Sequence, residues 1–194
     1  MAKVKSADLI TPAQYLENER TSEMKHEYVD GQTYAMAGAS PNHGRISANL
    51  IRRLGNQLDN SPCEPFSSDL MLKTPTGQYR YPDVMVVCDD EFIDNGYVTQ
   101  TPVIIIEILS RSTRKIDERT KQLEYINIPT LKEYVLIEQD IVDIRVLRKS
   151  DDWRTSHYYL GESVYFESLD VTLSVEEIYN RVQNQDMTDF LANQ

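Results

Sequence analysis

Apolar positions change period several times along this chain, and each change marks an element. Thr11-Pro12 sets an N-cap and a first helical residue with its φ already fixed, opening a short helix to about Glu19. Apolar and polar residues then alternate over 25–29 and 32–36 around Asp30-Gly31, a pair suited to a tight hairpin because glycine accepts positive φ. Ser40-Pro41 opens a second helix in which Ile46, Leu50, Leu54 and Leu58 recur every four residues as one apolar stripe, with Arg45, Arg52 and Arg53 off it. Beyond Pro62 the pattern predicts strands over 69–73 and 81–88, separated by a turn at 75–77. The run Val103-Ile104-Ile105-Ile106, within a strand reaching Leu109, reads as a central strand covered on both faces. Residues 112–127 predict a helix with Ile116, Thr120 and Leu123 on one side, stopped near Pro129. Strands follow over 133–138, 141–147, 153–160 and 164–166, then a last helix with Ser174 and Glu177 as a capping box. The polar stretch 184–194 reads as a flexible tail.

Length changes this picture little: 194 residues suit one domain, 1–194, with a full core. Charge changes it more. With 20 Lys and Arg against 31 Asp and Glu the net charge is 20 − 31 = −11, so the surface as a whole repels nucleic acid and any polyanion needs a local basic patch. Cys63 and Cys88 fit no metal-ligand spacing and read as reduced, buried thiols. Neither a membrane-length apolar run nor an apolar leader is visible, so a cytoplasmic protein with no membrane partner is expected.

The candidate chemistry lies in two apolar strands, each with one ionised side chain, Asp83 and Glu107. A carboxylate in an apolar strand is costly unless a cation or a donor meets it. Two of them on neighbouring strands supply the hard oxygen ligands that Mg²⁺ or Mn²⁺ prefers, with the carbonyl of Ile108 as a third and water and phosphate oxygen completing the shell. The ordinary alternative puts each carboxylate at a strand end, solvated or paired with arginine.

Pro82-Asp83, then Glu107-Ile108-Leu109, then a basic helix resembles the PD-(D/E)XK nuclease superfamily. The resemblance is closer to its Uma-type branch of putative restriction endonucleases. The features that carry it span most of the chain: His26-Glu27-Tyr28-Val29-Asp30-Gly31, Ser40-Pro41-Asn42-His43, the segment from Glu107 to Arg114, and Lys121-Gln122-Leu123-Glu124-Tyr125. It implies a restriction-endonuclease-like α/β core, a mixed β-sheet flanked by helices, with Asp83 and Glu107 as metal ligands. The lysine expected two residues after the glutamate is replaced by Leu109. Lys121 on the next helix stands where the branch carries a lysine and is the candidate substitute; Lys115 is a second. Asp117 and Lys121, at i and i+4, could equally be an exposed helix pair. Glu27 is a candidate third catalytic carboxylate or a solvent-facing strand residue, and His43 a phosphate donor or a structural histidine.

Arg111, Arg114 and Lys115, with Arg119 and Lys121, crowd the segment after Glu107 and could form the required patch along a phosphate backbone. The same helix, with Asp117 and Glu118 interleaved, also reads as a solvated face. GxSxG, P-loop, GxGxxG and HExxH motifs are absent. The expectation is a metal-dependent endonuclease acting on DNA. Its rivals are a catalytically silent nucleic-acid-binding protein that kept the fold, and an oligomeric scaffold, such as a homodimer pairing through the late strands around Tyr158, Tyr159 and Tyr165.

Overall fold

The computed structural model describes residues 9–88, 92–110, 114 and 116–193. Helix α1 (Pro12–Glu19) is followed by strands β1 (His26–Val29) and β2 (Gln32–Ala35), helix α2 (Pro41–Leu58), and strands β3 (Cys63–Ser67), β4 (Met71–Lys73), β5 (Tyr79–Arg80) and β6 (Val84–Cys88). Next come β7 (Phe92–Ile93), β8 (Val98–Thr99), β9 (Pro102–Leu109) and a π-helical segment, Ile116–Lys121, running into α3 (Gln122–Tyr125). The chain continues with β10 (Glu133–Glu138), β11 (Ile144–Arg148), β12 (Thr155–Tyr158), β13 (Ser163–Phe166), β14 (Val171–Ser174), α4 (Val175–Ile178) and α5 (Gln185–Ala192).

A mixed six-stranded sheet, ordered β12-β11-β10-β9-β6-β3, carries the core. β9 runs parallel to β10 and antiparallel to β6. Alternation along β9 sends Ile104, Ile106 and Ile108 to one face, where the stripe Ile46, Leu50, Leu54 and Leu58 of α2 covers them. Ile105 and Leu109 go to the other face, among Met85, Val87, Tyr125, Ile128 and Tyr134. A second sheet of short strands, β2-β1-β5-β4-β8-β7, stands beside it, and β13 and β14 form a separate hairpin. The result is the mixed sheet with flanking helices that the family resemblance implied.

Local signals hold at the element starts. Thr11 and Gln14 form a full capping box, Ser40 Oγ accepts from the His43 backbone N–H, and Ser174 pairs with Glu177. In the β1–β2 turn, Asp30 and Gly31 take φ of 50° and 84°, as a two-residue hairpin of the primed kind requires.

Several readings change. β3 was not foreseen; its proline and glutamate hide the pattern, yet it pairs with β6 and brings Cys63 opposite Cys88. The two cysteines are therefore joined as a disulfide between neighbouring strands rather than standing as separate thiols. The strand expected over 81–88 begins only at Val84, because Pro82 has no N–H to give a ladder, and Arg80 belongs to the other sheet. Residues 185–192, expected as tail, form helix α5, capped by Asn184 and anchored by buried Met187.

Candidate active site

The antiparallel register of β6 and β9 sets Val84 opposite Ile106, so Asp83 and Glu107 are the next pair outward. Both share the strand face of Met85 and Ile105, the side covered by the helical segment after β9. Asp83 sits in the bend just before β6, and its Oδ2 accepts a 2.7 Å hydrogen bond from the Ile108 N–H. His43 Nε2, from the first turn of α2, lies 3.1 Å from the same oxygen. Gln139 holds that corner together: its Nε2 donates to the Leu109 carbonyl at 2.9 Å and its Oε1 accepts from Ser40 Oγ, the N-cap of α2.

Glu107 is nearly inaccessible, and Lys121 Nζ and Tyr125 Oη both donate to its Oε1, at 3.0 and 3.1 Å. Lys121 is only 7 % exposed, with Glu27 Oε1 at 3.2 Å and Asp117 Oδ1 at 3.3 Å. Asp117 and Lys121 thus form an i,i+4 pair, but a buried one. The side read from Ile116, Thr120 and Leu123 faces outward, with Ile116 47 % and Leu123 63 % exposed. Asp117, Lys121 and Tyr125, four residues apart, turn inward instead, because a lysine among three carboxylates and a tyrosine bonded to one have partners there. The π-helical turn carries both charged members of that row, a distortion that often accompanies functional side chains.

Electrostatics follow from this crowding. Burial pushes the Glu107 carboxyl up, Lys121 pulls it back, and Asp83, Asp117 and Glu27 push it further, to about 8. For Lys121 burial opposes the charge, but Glu107, Glu27 and Asp117 outweigh it and raise its pKa well above the ordinary lysine value, so it stays an ammonium. Beyond Glu27 stands Arg80, whose guanidinium bonds both Glu27 and Glu124.

The structure therefore brings Asp83, Glu107, Lys121, Glu27 and His43 to one place. Arg114 lies near the end of β10, where it pairs with Glu138, and its Nη1 is 3.7 Å from Glu118. Arg111 and Lys115 fall outside the described residues. Arg119 is exposed, Arg53 pairs with Glu177, and Arg45 and Arg52 donate to Asn42 and Asn49 on their own helix. Arg80 and Gln139 were not singled out by sequence, and Asp117 and Tyr125 were named there only as a helix pair partner and as part of a motif, not as site residues. The spacing 117, 121, 125 was available as a signal for two of them; Arg80 and Gln139 have none without the sheet order.

Among the described residues no group of three His, Cys, Asp or Glu is arranged to hold a metal by protein ligands alone. The pair Asp83 and Glu107 still has the oxygen chemistry for a hard cation that keeps most of its shell as water and phosphate. Five carboxylates, Glu27, Asp83, Glu107, Asp117 and Glu124, surround the site against two fixed cations, Lys121 and Arg80. A cluster so short of positive charge suits a divalent ion.

A sequence profile of the family named Uma2, described as "Putative restriction endonuclease", matches residues 12–179. Two curated proteins of Synechocystis sp. strain PCC 6803 are similar over most of their length. The uncharacterized protein slr1290 is 35 % identical over 88 % of this chain and 91 % of its own, and sll1609 is 36 % identical over 86 % and 97 %. Among solved structures, one described as a putative nuclease belonging to DUF820, from Anabaena variabilis, superposes with a TM-score of 0.72 at 20 % identity, covering 90 % of this chain and 99 % of that one. No helix among the described residues is long and apolar enough to cross a membrane.

Proposed function

Because the chain belongs to the Uma2 family of putative restriction endonucleases, we propose that it is a divalent-metal-dependent endonuclease hydrolysing phosphodiester bonds in DNA. Asp83 and Glu107 would hold Mg²⁺ or Mn²⁺, and Lys121 would take the place of the lysine that Leu109 displaces. The observation that carries this is the meeting of Asp83 and Glu107 across β6 and β9 with a buried ammonium 3.0 Å from Glu107.

Among the described residues, Ile108 N–H and His43 meet Oδ2 of Asp83, and Lys121 and Tyr125 meet Oε1 of Glu107. A divalent ion, when bound, supplies Lewis-acid polarisation of a phosphoryl oxygen and neutralises charge on the phosphate. Lys121, held as an ammonium, does not act as a base. It donates hydrogen bonds, orients the attacking water and offsets charge developing on the phosphate. Glu27 and Asp117 keep its tip directed at Glu107. His43 orients Asp83 through Oδ2 and would donate to a phosphate oxygen at the start of α2.

The test is Mn²⁺ calorimetry on the wild type, Asp83→Ala and Glu107→Ala, beside cleavage of supercoiled, linear and branched DNA. Metal binding lost in both variants, and turnover reduced about 10²–10³-fold in Lys121→Met with binding kept, is the expected result. Metal binding without cleavage of any substrate by the wild type would favour a silent DNA-binding protein, and no metal binding would end the nuclease reading.

A further inference from the structure

Arg80 has no part in the chemistry above, yet it is one of the most buried charges in the molecule, 3 % exposed. It lies in β5, three residues before Asp83 but in the other sheet. Its guanidinium is used along two edges. Nε and Nη2 donate to the two oxygens of Glu124 at 3.0 and 2.7 Å, and Nη1 donates to Glu27 Oε2 at 2.8 Å. Glu27 Oε1, the other oxygen of that carboxylate, is 3.2 Å from Lys121 Nζ. Glu124 stands three residues beyond Lys121 on the same helical segment.

Arg80 therefore meets both the carboxylate that holds the tip of Lys121 and the helix that carries its backbone. A buried guanidinium is tolerated only when its donors are met, and its planar fork fixes the direction of each carboxylate. A lysine in its place has a point charge without that fork, and could not hold two carboxylates on two edges.

We propose that Arg80 is a positioning residue for Lys121: by bridging Glu27 on β1 and Glu124 on α3 it fixes the ammonium against Glu107. The effect on turnover rests on the nuclease reading; the effect on Lys121 itself does not.

Two measurements on Arg80→Met, Arg80→Lys and Arg80→Gly separate the two. The first is pulsed amine labelling read at Lys121 by peptide mass spectrometry, with exposed Lys132 as internal standard. The second is cleavage of the substrate the wild type cuts. Labelling of Lys121 should rise roughly tenfold in Arg80→Met and Arg80→Gly, through local opening. Turnover should fall about 100-fold with KM within about threefold, the signature of a misplaced group rather than weakened binding. Guanidinium chloride well below denaturing concentration should restore both protection and turnover in Arg80→Gly, while equal sodium chloride should not; a loss of fold alone would not be repaired this way. Arg80→Lys should remain impaired, and it carries the test if the other two fail to fold. Unchanged Lys121 protection in a folded variant, or turnover within about threefold of wild type, would overturn the proposal. If the wild type cleaves nothing, the nuclease reading fails while the labelling arm still decides the role of Arg80.

Discussion

Glu107 is the residue on which site and stability pull against each other. Its carboxyl is pushed up to about 8 because it is buried first and crowded by other carboxylates second, with Lys121 only partly offsetting them. An acid whose folded pKa lies above its unfolded value binds more protons when folded between those two values. Its contribution is therefore fully present below about 4.5, the unfolded value, and lost as pH rises through about 8. Glu107→Gln removes that penalty and leaves Lys121 with Glu27 and Asp117 as partners. The metal-free variant should melt about 2–4 °C above wild type at pH 8.5 and show little or no gain at pH 5, measured by calorimetric scans in EDTA. An equal gain at both pH values would mean that the carboxyl is not the titrating group. The same substitution abolishes metal binding in the proposed function, a trade of stability for activity that functional sites commonly show.

At the scale of elements, the segment from Ile116 to Tyr125 inverts its apparent amphipathicity. Its aliphatic residues Ile116 and Leu123 face out, and its charged row faces the sheet. Ile116→Lys and Leu123→Lys should each change unfolding free energy by no more than about 0.5 kcal/mol. Tyr125→Ala should cost about 3–5 kcal/mol, since it empties a fully buried ring site among Met85, Ile105 and Tyr134. Tyr125→Phe keeps the ring and loses one hydrogen bond to Glu107, worth about 1 kcal/mol. Urea titrations check all four; a large loss from Leu123→Lys would restore the simple reading of the helix. The strand elements behave more conventionally, since β9 is apolar on both faces apart from Glu107 and is covered on both.

For the whole molecule, two terms matter beyond local contacts. The disulfide between Cys63 and Cys88 closes a loop with a separation of 25 residues and ties edge strand β3 to β6, the strand that Asp83 precedes. Loop-closure entropy assigns it about 3.5 kcal/mol, so reduction should lower the urea midpoint accordingly; an unchanged midpoint would show that the bridge does not form in solution. The net charge of −11 should make the metal-free protein a poor DNA binder. Ca²⁺, which fits oxygen ligands, should raise duplex affinity at least about tenfold at constant ionic strength, read by fluorescence anisotropy, and EDTA should reverse it. What the sequence determined unaided was local or periodic: the caps at Thr11, Ser40 and Ser174, the Asp30-Gly31 turn, the stripe of α2, and two solitary carboxylates in apolar strands. Those signals act within a few residues, so they survive without knowledge of the fold. Only the tertiary structure decided that Asp83 meets Glu107, that Asp117 and Lys121 are buried rather than solvated, and that Arg80, from another sheet, completes the chain of charges through Glu27. Sheet order and register are set by burial across the whole core, and a charge can turn inward only where distant elements have already assembled its partners.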